Sequence, residues 1–225
     1  MKRILVLVAH SDDEALGCGG TIAAQAEQGA EVTVMFLTNG VGARNSGSSD
    51  PAALRRAEAA RKASDILGVK NIIQLDFPDN RLDSLPLLDV VQSIEPVIAD
   101  LRPSVILTHF AEDLNVDHRV CHQAVLTACR PQPGHPVRTI LGFEVPSSTE
   151  WAFSAPTFTP NCFIDISAQL DKKLKALDAY HEEMRPAPHP RSASSIEALA
   201  RWRGATAGCS AAEAFSVVRM ITQEI

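Results

Sequence analysis

No apolar stretch in this chain approaches the roughly 18 residues that a membrane-spanning helix needs, so membrane insertion is not expected. No two of the five cysteines (Cys18, Cys121, Cys129, Cys162, Cys209) form a C-x-x-C pair. Odd in number and widely scattered, they exclude a thiolate zinc cluster and a disulfide scaffold, and they suit a reducing, cytoplasmic compartment. No run of Lys or Arg occurs among the 21, and the formal charge is −6. A nucleic-acid surface needs clustered cations to neutralise phosphates, so the expected partner is a small molecule. Internal repeats and low-complexity segments are also missing. The 225 residues, 45% hydrophobic and 21% charged, favour one α/β domain spanning 1–225 with a real core.

What is present is alternation. Arg3 to Val8 is a continuous apolar run, the pattern of a strand buried on both faces. It stops at once in His10-Ser11-Asp12-Asp13-Glu14, which argues for a first strand and against a leader peptide. Glu14 to Gln28 reads as a helix closed by Gly29, and Glu31 to Thr38 as a second strand. A loop rich in Gly and Ser follows, then a helix from Pro51 to the neighbourhood of Gly68. A third strand is expected at Asn71 to Leu75, and a helix towards Arg102 with a kink or late start at Pro96. Val105 to Thr108 gives a fourth strand, and Val116 opens the next helix. Such alternation requires crossover connections, hence a mostly parallel central sheet with helices on both faces, a three-layer α/β sandwich. The second half is less regular. Strands are expected near Thr139 to Val145, Asn161 to Ile166 and Ala214 to Ile221, helices at Ala168 to Tyr180 and Ser194 to Arg203, and a Pro-rich loop at Arg185 to Ser192.

Two acidic-histidine segments, His10-Ser11-Asp12-Asp13-Glu14 and Asn115-Val116-Asp117-His118, each follow a predicted strand. In an open parallel sheet, functional groups collect beyond the carboxyl ends of the strands, so remote segments can meet in one crevice. Helix caps account for part of the pattern, since Ser11-x-x-Glu14 fits a capping box and Asn115 is a strong N-cap residue. They do not require His10 at a strand end, nor two adjacent carboxylates after it. A histidine in a first helical turn is favoured neutral, the state a metal needs, which marks His118 as a ligand. His10, Asp13 and His118 offer two nitrogens and one oxygen with a coordination position open, the donor set of catalytic zinc, and leave Asp12 as a base. The same donors suit a non-haem iron(II) centre, a rival that gives Asp12 no role. His109 and His122 read as packing or ligand-supporting residues. Gly17-Cys18-Gly19-Gly20 comes too late for a dinucleotide-binding turn, and the second strand ends without an acid for the ribose. Those glycines read as a place where a helix lies close to the sheet.

At these residues the chain resembles the PIG-L/LmbE-like family of zinc-dependent N-deacetylases, whose hallmarks are a His-Pro-Asp-Asp-Glu-like segment after the first strand and a His-x-Asp-His-like segment after the fourth. The likeness extends to Asn39–Arg44, Pro78–Arg81, His189–Ser192 and Ala212–Phe215. It implies a Rossmann-like fold and hydrolysis of the N-acetyl group of an N-acetylglucosamine-type sugar conjugate, releasing acetate and a free amine. It also implies Zn2+ on His10, Asp13 and His118, with another divalent metal such as Fe2+ as the alternative. Asp12 would be the general base and Asp117 a supporting acid. Asp79 would meet sugar hydroxyls, and Arg44, Arg81 and Arg191 a carboxylate or phosphate on the substrate. Glu213 is expected to pair with an arginine. Ser11 replaces the usual proline, and Asn115 the histidine that many members carry. Asparagine cannot serve as an acid, but it can donate to an oxyanion, and the proton for the leaving amine would then come from Asp12 or His189. A non-catalytic sugar-conjugate-binding protein is the reading that Asn115 leaves open. The family allows a homo-oligomer.

Overall fold

A computed structural model describes residues 1–38, 51–154 and 156–222. Along these the order is β1 (Arg3–Val8), α1 (Asp13–Glu27), β2 (Glu31–Thr38), α2 (Pro51–Leu67), β3 (Asn71–Phe77), α3 (Leu87–Leu101), β4 (Val105–His109), α4 (Val116–Ala128), β5 (Thr139–Phe143), β6 (Cys162–Asp165), α5 (Leu170–Ala179), α6 (Ala193–Ala207) and β7 (Ala212–Met220). The strands form one seven-stranded sheet in the order β3-β2-β1-β4-β5-β7-β6. β1 to β5 run parallel, and β7 enters antiparallel to both β5 and β6. The result is a Rossmann-like three-layer α/β sandwich.

The side-chain period of two explains the layers. Ile4, Val6 and Val8 of β1 join Val32, Val34 and Phe36 of β2 in one core, covered by α1, α2 and α5. Leu5 and Leu7, with Met35 and Leu37, face the other core, under α3 and α4. Both faces are dry, which is why β1 reads as a continuous apolar run. None of the helices among the described residues is long and apolar enough to cross a membrane.

Three local expectations change. α3 runs as one helix through Pro96, because its buried stripe of Val90, Val91, Ile94 and Ile98 holds it on the sheet despite the missing N–H. Ser11 caps nothing: Asp12 takes the N-cap position of α1 in the left-handed region, at φ 118° and ψ −27°, with no side-chain cap bond. α1 is interrupted at Cys18, at φ −144° and ψ 23°.

The chain lays β1, β2 and β3 outward in one direction and then returns to place β4 on the other flank of β1. That reversal opens a crevice beyond the carboxyl ends of β1 and β4, the expected ligand position of a doubly wound sheet. The glycines of α1 let the helix approach closely. A Cβ on Gly17 would lie 2.2 Å from the Phe143 ring, and one on Gly20 2.7 Å from Ile166. Gly17→Ala should therefore destabilise the fold by about 1–3 kcal/mol through overpacking, read as a lower urea midpoint with an unchanged slope. An unchanged midpoint would show that the ring has room to move.

Candidate functional site

His10 stands two residues past β1, Asp13 opens α1, and His118 lies in the first turn of α4. The switch between β1 and β4 brings them together. His10 Nδ1 lies 3.2 Å from Asp13 Oδ2, His118 Nε2 3.3 Å from Asp13 Oδ2, and His118 Nε2 3.3 Å from His10 Nδ1. Three donors bound tetrahedrally to zinc at about 2.0–2.1 Å lie roughly 3.3–3.4 Å apart, so this near-equilateral triangle fits such an ion. Asp13 Oδ1 is buried with no hydrogen-bond partner. It is the second oxygen of the carboxylate whose Oδ2 forms one corner of the triangle, and an unpaired buried oxygen on that group is what a nearby divalent cation would satisfy.

The far side of each imidazole meets carboxylates. His10 Nε2 lies 3.1 Å from Asp79 Oδ1 and 3.2 Å from Asp117 Oδ2. Asp117 also accepts the backbone N–H groups of Asn80 and Leu82, pinning the loop after β3 to α4. His118 Nδ1 sits 3.0 Å from Asp113 Oδ1, an ion-pair contact off the hydrogen-bond line. Asp113 is itself held by Ser148 Oγ, Thr149 Oγ1 and the Asn115 N–H. Behind the cluster, His109 accepts the Ala9 N–H at 2.9 Å and stacks on His118 with centroids 3.9 Å apart. It supports the triangle without entering it.

Burial works against a charged His10, yet its hydrogen bonds to Asp117, Asp13 and Asp79 together raise its pKa well above the ordinary value. Burial also opposes a charged His118, but Asp13 and Asp113 hold it up at about 9. Asp13 feels the reverse: burial would raise it, and the imidazoles of His118, His109 and His10 keep it well below the carboxylate range. Asp113, despite its burial, is held at about 2 by His118. In the bare protein, then, protons on the two imidazoles answer the surrounding carboxylates.

Asp12 has a different set of partners. Burial pushes it up to about 6 against the pull of Arg191, whose Nη1 donates to Asp12 Oδ2 at 2.7 Å. The Asp12 N–H donates to Glu14 Oε2 at 3.0 Å, and Glu14 Oε1 accepts from Tyr180 Oη at 2.7 Å. Burial pushes Glu14 up to about 8. The strained backbone of Asp12 is thus fixed from two sides.

The remaining expected site residues lie as follows. Arg191 is engaged by Asp12 and, through Nε, by Ser147 Oγ, so its planar fork positions a carboxylate of the chain itself. Asp79 faces His10. Arg81 is exposed at the turn after β3. His189 accepts the Arg191 N–H on Nδ1 and sets its ring edge against Trp151, outside the imidazole cluster. Asn115 caps α4, its Oδ1 accepting the Asp117 N–H and its Nδ2 donating to Asn80 Oδ1. Glu213 pairs with Lys173 rather than with an arginine. Arg44 lies outside the described residues. The sequence reading passed over Asp113, although an acid just past a strand's carboxyl end, in the same loop as Asn115, was a usable signal.

Over residues 5–129 the chain matches the family model described as PIG-L, GlcNAc-PI de-N-acetylase. It is 34% identical over 182 residues to an uncharacterized deacetylase, YaiS, of Escherichia coli K12, covering 78% of this chain and 89% of that protein. It is 30% identical over 210 residues to a probable N-acetyl-alpha-D-glucosaminyl L-malate deacetylase 2 of Bacillus cereus, covering 89% and 94%. Among solved structures, GalB, the 4-carboxy-2-hydroxymuconate hydratase of Pseudomonas putida KT2440, superposes with a TM-score of 0.79 at 24% identity, over 100% of this chain and 99% of that one.

A cation entering the triangle must displace imidazole protons, because only neutral imidazole is a ligand. The sign follows: affinity for zinc should fall as pH drops below about 9, where His118 takes up its proton. Calorimetric titration with zinc at pH 7.5, in buffers of different ionisation heats, should show release of about one to two protons per ion. Asp113→Ala should weaken zinc binding by about 10–100-fold in a chelator competition, since the group orienting His118 is lost.

Proposed function

Because the chain belongs to the PIG-L (GlcNAc-PI de-N-acetylase) family, we propose that it is a zinc-dependent N-deacetylase acting on a small N-acetylglucosamine-type sugar conjugate. The observation that carries this reading is the donor triangle of His10, Asp13 and His118 with the Asp12 carboxylate beside it in the chain. The relatives that this chain matches over most of its length, at 34% and 30% identity, carry deacetylase names. The likeness to the hydratase, at 24% identity, bears on the fold alone.

In this reading His10 Nδ1, Asp13 Oδ2 and His118 Nε2 hold the ion. When bound, zinc supplies Lewis acidity, acidifying water and polarising the acetamide carbonyl. Asp12 accepts the proton of the attacking water. With its pKa at about 6 it is mostly ionised at neutral pH yet still basic enough to take a proton. The fork of Arg191 keeps the Asp12 carboxylate turned to its task. Asp12 also returns the proton to the leaving nitrogen, in keeping with His189 packing against Trp151 outside the imidazole cluster. Asn115 Nδ2, its orientation fixed by the cap its own Oδ1 makes, offers a second hydrogen to the developing oxyanion. Arg81 is exposed at the mouth of the β3 loop and meets the distal part of the conjugate.

The test is acetate and free-amine release from a panel of N-acetylglucosamine conjugates, with and without chelator. Asp12→Asn should lower turnover by about 100- to 10,000-fold with zinc content unchanged, while His118→Ala should lose the metal itself. Below pH 6, kcat/KM should fall about tenfold per pH unit as Asp12 protonates, and the charge of a bound cation can move that limb only lower. Ligand binding without acetate release would reduce the chain to a binding protein.

A further inference from the structure

The helix that carries Asp13 is spliced. In an unbroken α-helix the Gly20 N–H would donate to the Leu16 carbonyl four residues back. In α1 the span of that bond contains the non-helical backbone of Cys18, and a pair of side chains engages both of the groups that would form it. The Gly20 N–H donates to Glu213 Oε1 at 2.9 Å and the Thr21 N–H to Glu213 Oε2 at 2.7 Å. Lys173 Nζ donates to the Leu16 carbonyl at 2.8 Å and to Glu213 Oε1 at 2.5 Å. Glu213 comes from β7 and Lys173 from α5, and both are almost fully buried.

Each charge has the sign that its helix end demands. The carboxylate sits at the N-terminus of the segment after the break, where freed N–H groups concentrate positive potential, and the ammonium sits at the C-terminus of the segment before it. Insertion of side chains into the hydrogen-bond ladder is a sufficient cause for the interruption. The segment before the break, Asp13–Gly17, is little more than one turn, too short to hold its own direction. Its first residue is Asp13, and its Leu16 carbonyl abuts the ion pair.

We propose that the Lys173–Glu213 pair is a positioning device for the metal centre. By holding the end of the short segment through the Leu16 carbonyl it sets the direction from which Asp13 Oδ2 meets His10 Nδ1 and His118 Nε2. The inference rests on the metal-centre reading above and adds to it two residues that touch neither ligand nor substrate. Removing a pair that merely stabilised the fold would lower the melting temperature and leave the donor triangle alone.

The experiment is a zinc titration against a chromogenic chelator, together with the visible absorption of the cobalt(II)-loaded protein. The proteins are wild type, His118→Ala, Lys172→Met as an exposed neighbour, Glu213→Gln, and the neutral double variant Lys173→Met with Glu213→Gln. Glu213→Gln and the double variant should bind zinc about tenfold more weakly and show an altered cobalt spectrum, whereas Lys172→Met should match wild type. If wild type binds no zinc, or His118→Ala binds it as tightly, the metal reading itself fails. If His118→Ala loses zinc but the neutral pair binds it with wild-type affinity and an unchanged cobalt spectrum, the positioning role is overturned, whatever the melting temperature does. Should the double variant not fold, the isosteric Glu213→Gln carries the same comparison.

Discussion

Four carboxylates, those of Asp13, Asp79, Asp113 and Asp117, are buried around the imidazoles of His10 and His118. Removing an anion from water costs several kcal/mol even after relaxation, so such a cluster persists only where positive charge meets it. Much of the architecture around the crevice serves that requirement. Asp117 spends its lone pairs on the Asn80 and Leu82 N–H groups as well as on His10, and Asp113 spends its own on Ser148, Thr149 and the Asn115 N–H. The loops after β3, β4 and β5 are thereby tied together by the same charges that orient the ring nitrogens.

The same arrangement assigns each nitrogen a direction. His10 turns Nδ1 towards Asp13 and His118, and Nε2 towards Asp79 and Asp117; His118 turns Nε2 inward and Nδ1 towards Asp113. An imidazole whose outer nitrogen faces a carboxylate is a better electron donor at its inner one, and its ring cannot swing away. The neighbouring Asp12 escapes this cluster because its backbone is in the left-handed region, a conformation that costs a non-glycine residue of order 1–3 kcal/mol. Two adjacent aspartates are thus given different environments: Asp13 is forced towards full ionisation, and Asp12 is lifted into the range where a proton can be exchanged.

What could be read from the chain follows from how each feature is encoded. The parallel sheet and its layers were legible because burial on both faces leaves a continuous apolar run, visible at β1 without any knowledge of partners. The donors were legible because they sit at strand ends, and strand ends converge. The partner of Arg191 and the Lys173–Glu213 pair were not, since the significance of each lies in a contact that no local pattern announces. Arg191 reaches Asp12 across 179 residues, and Glu213 reaches the Gly20 N–H across 193. A lone arginine in a loop has the same sequence signature whether it meets a substrate or a neighbouring carboxylate. Ser11 misled for a related reason: S-x-x-E scores as a capping box, but the cap position moved one residue on because Asp12 had to turn.

The glycines of α1 join these threads. A helix interior rich in glycine is costly, roughly 1 kcal/mol for each relative to alanine, and local propensity alone would count it as a defect. Here Gly17 and Gly20 bracket the break, one against Phe143 of β5 and the other against Ile166 just past β6, and neither place has room for a Cβ. Close approach to the sheet brings the freed Gly20 and Thr21 N–H groups within reach of a carboxylate rooted on β7, and brings the Leu16 carbonyl within reach of a lysine on α5. A Cβ at either position would force the helix off the sheet and away from the two charges that hold its broken ends. The composition that weakens the helix as a helix is what allows its first turn to be aimed.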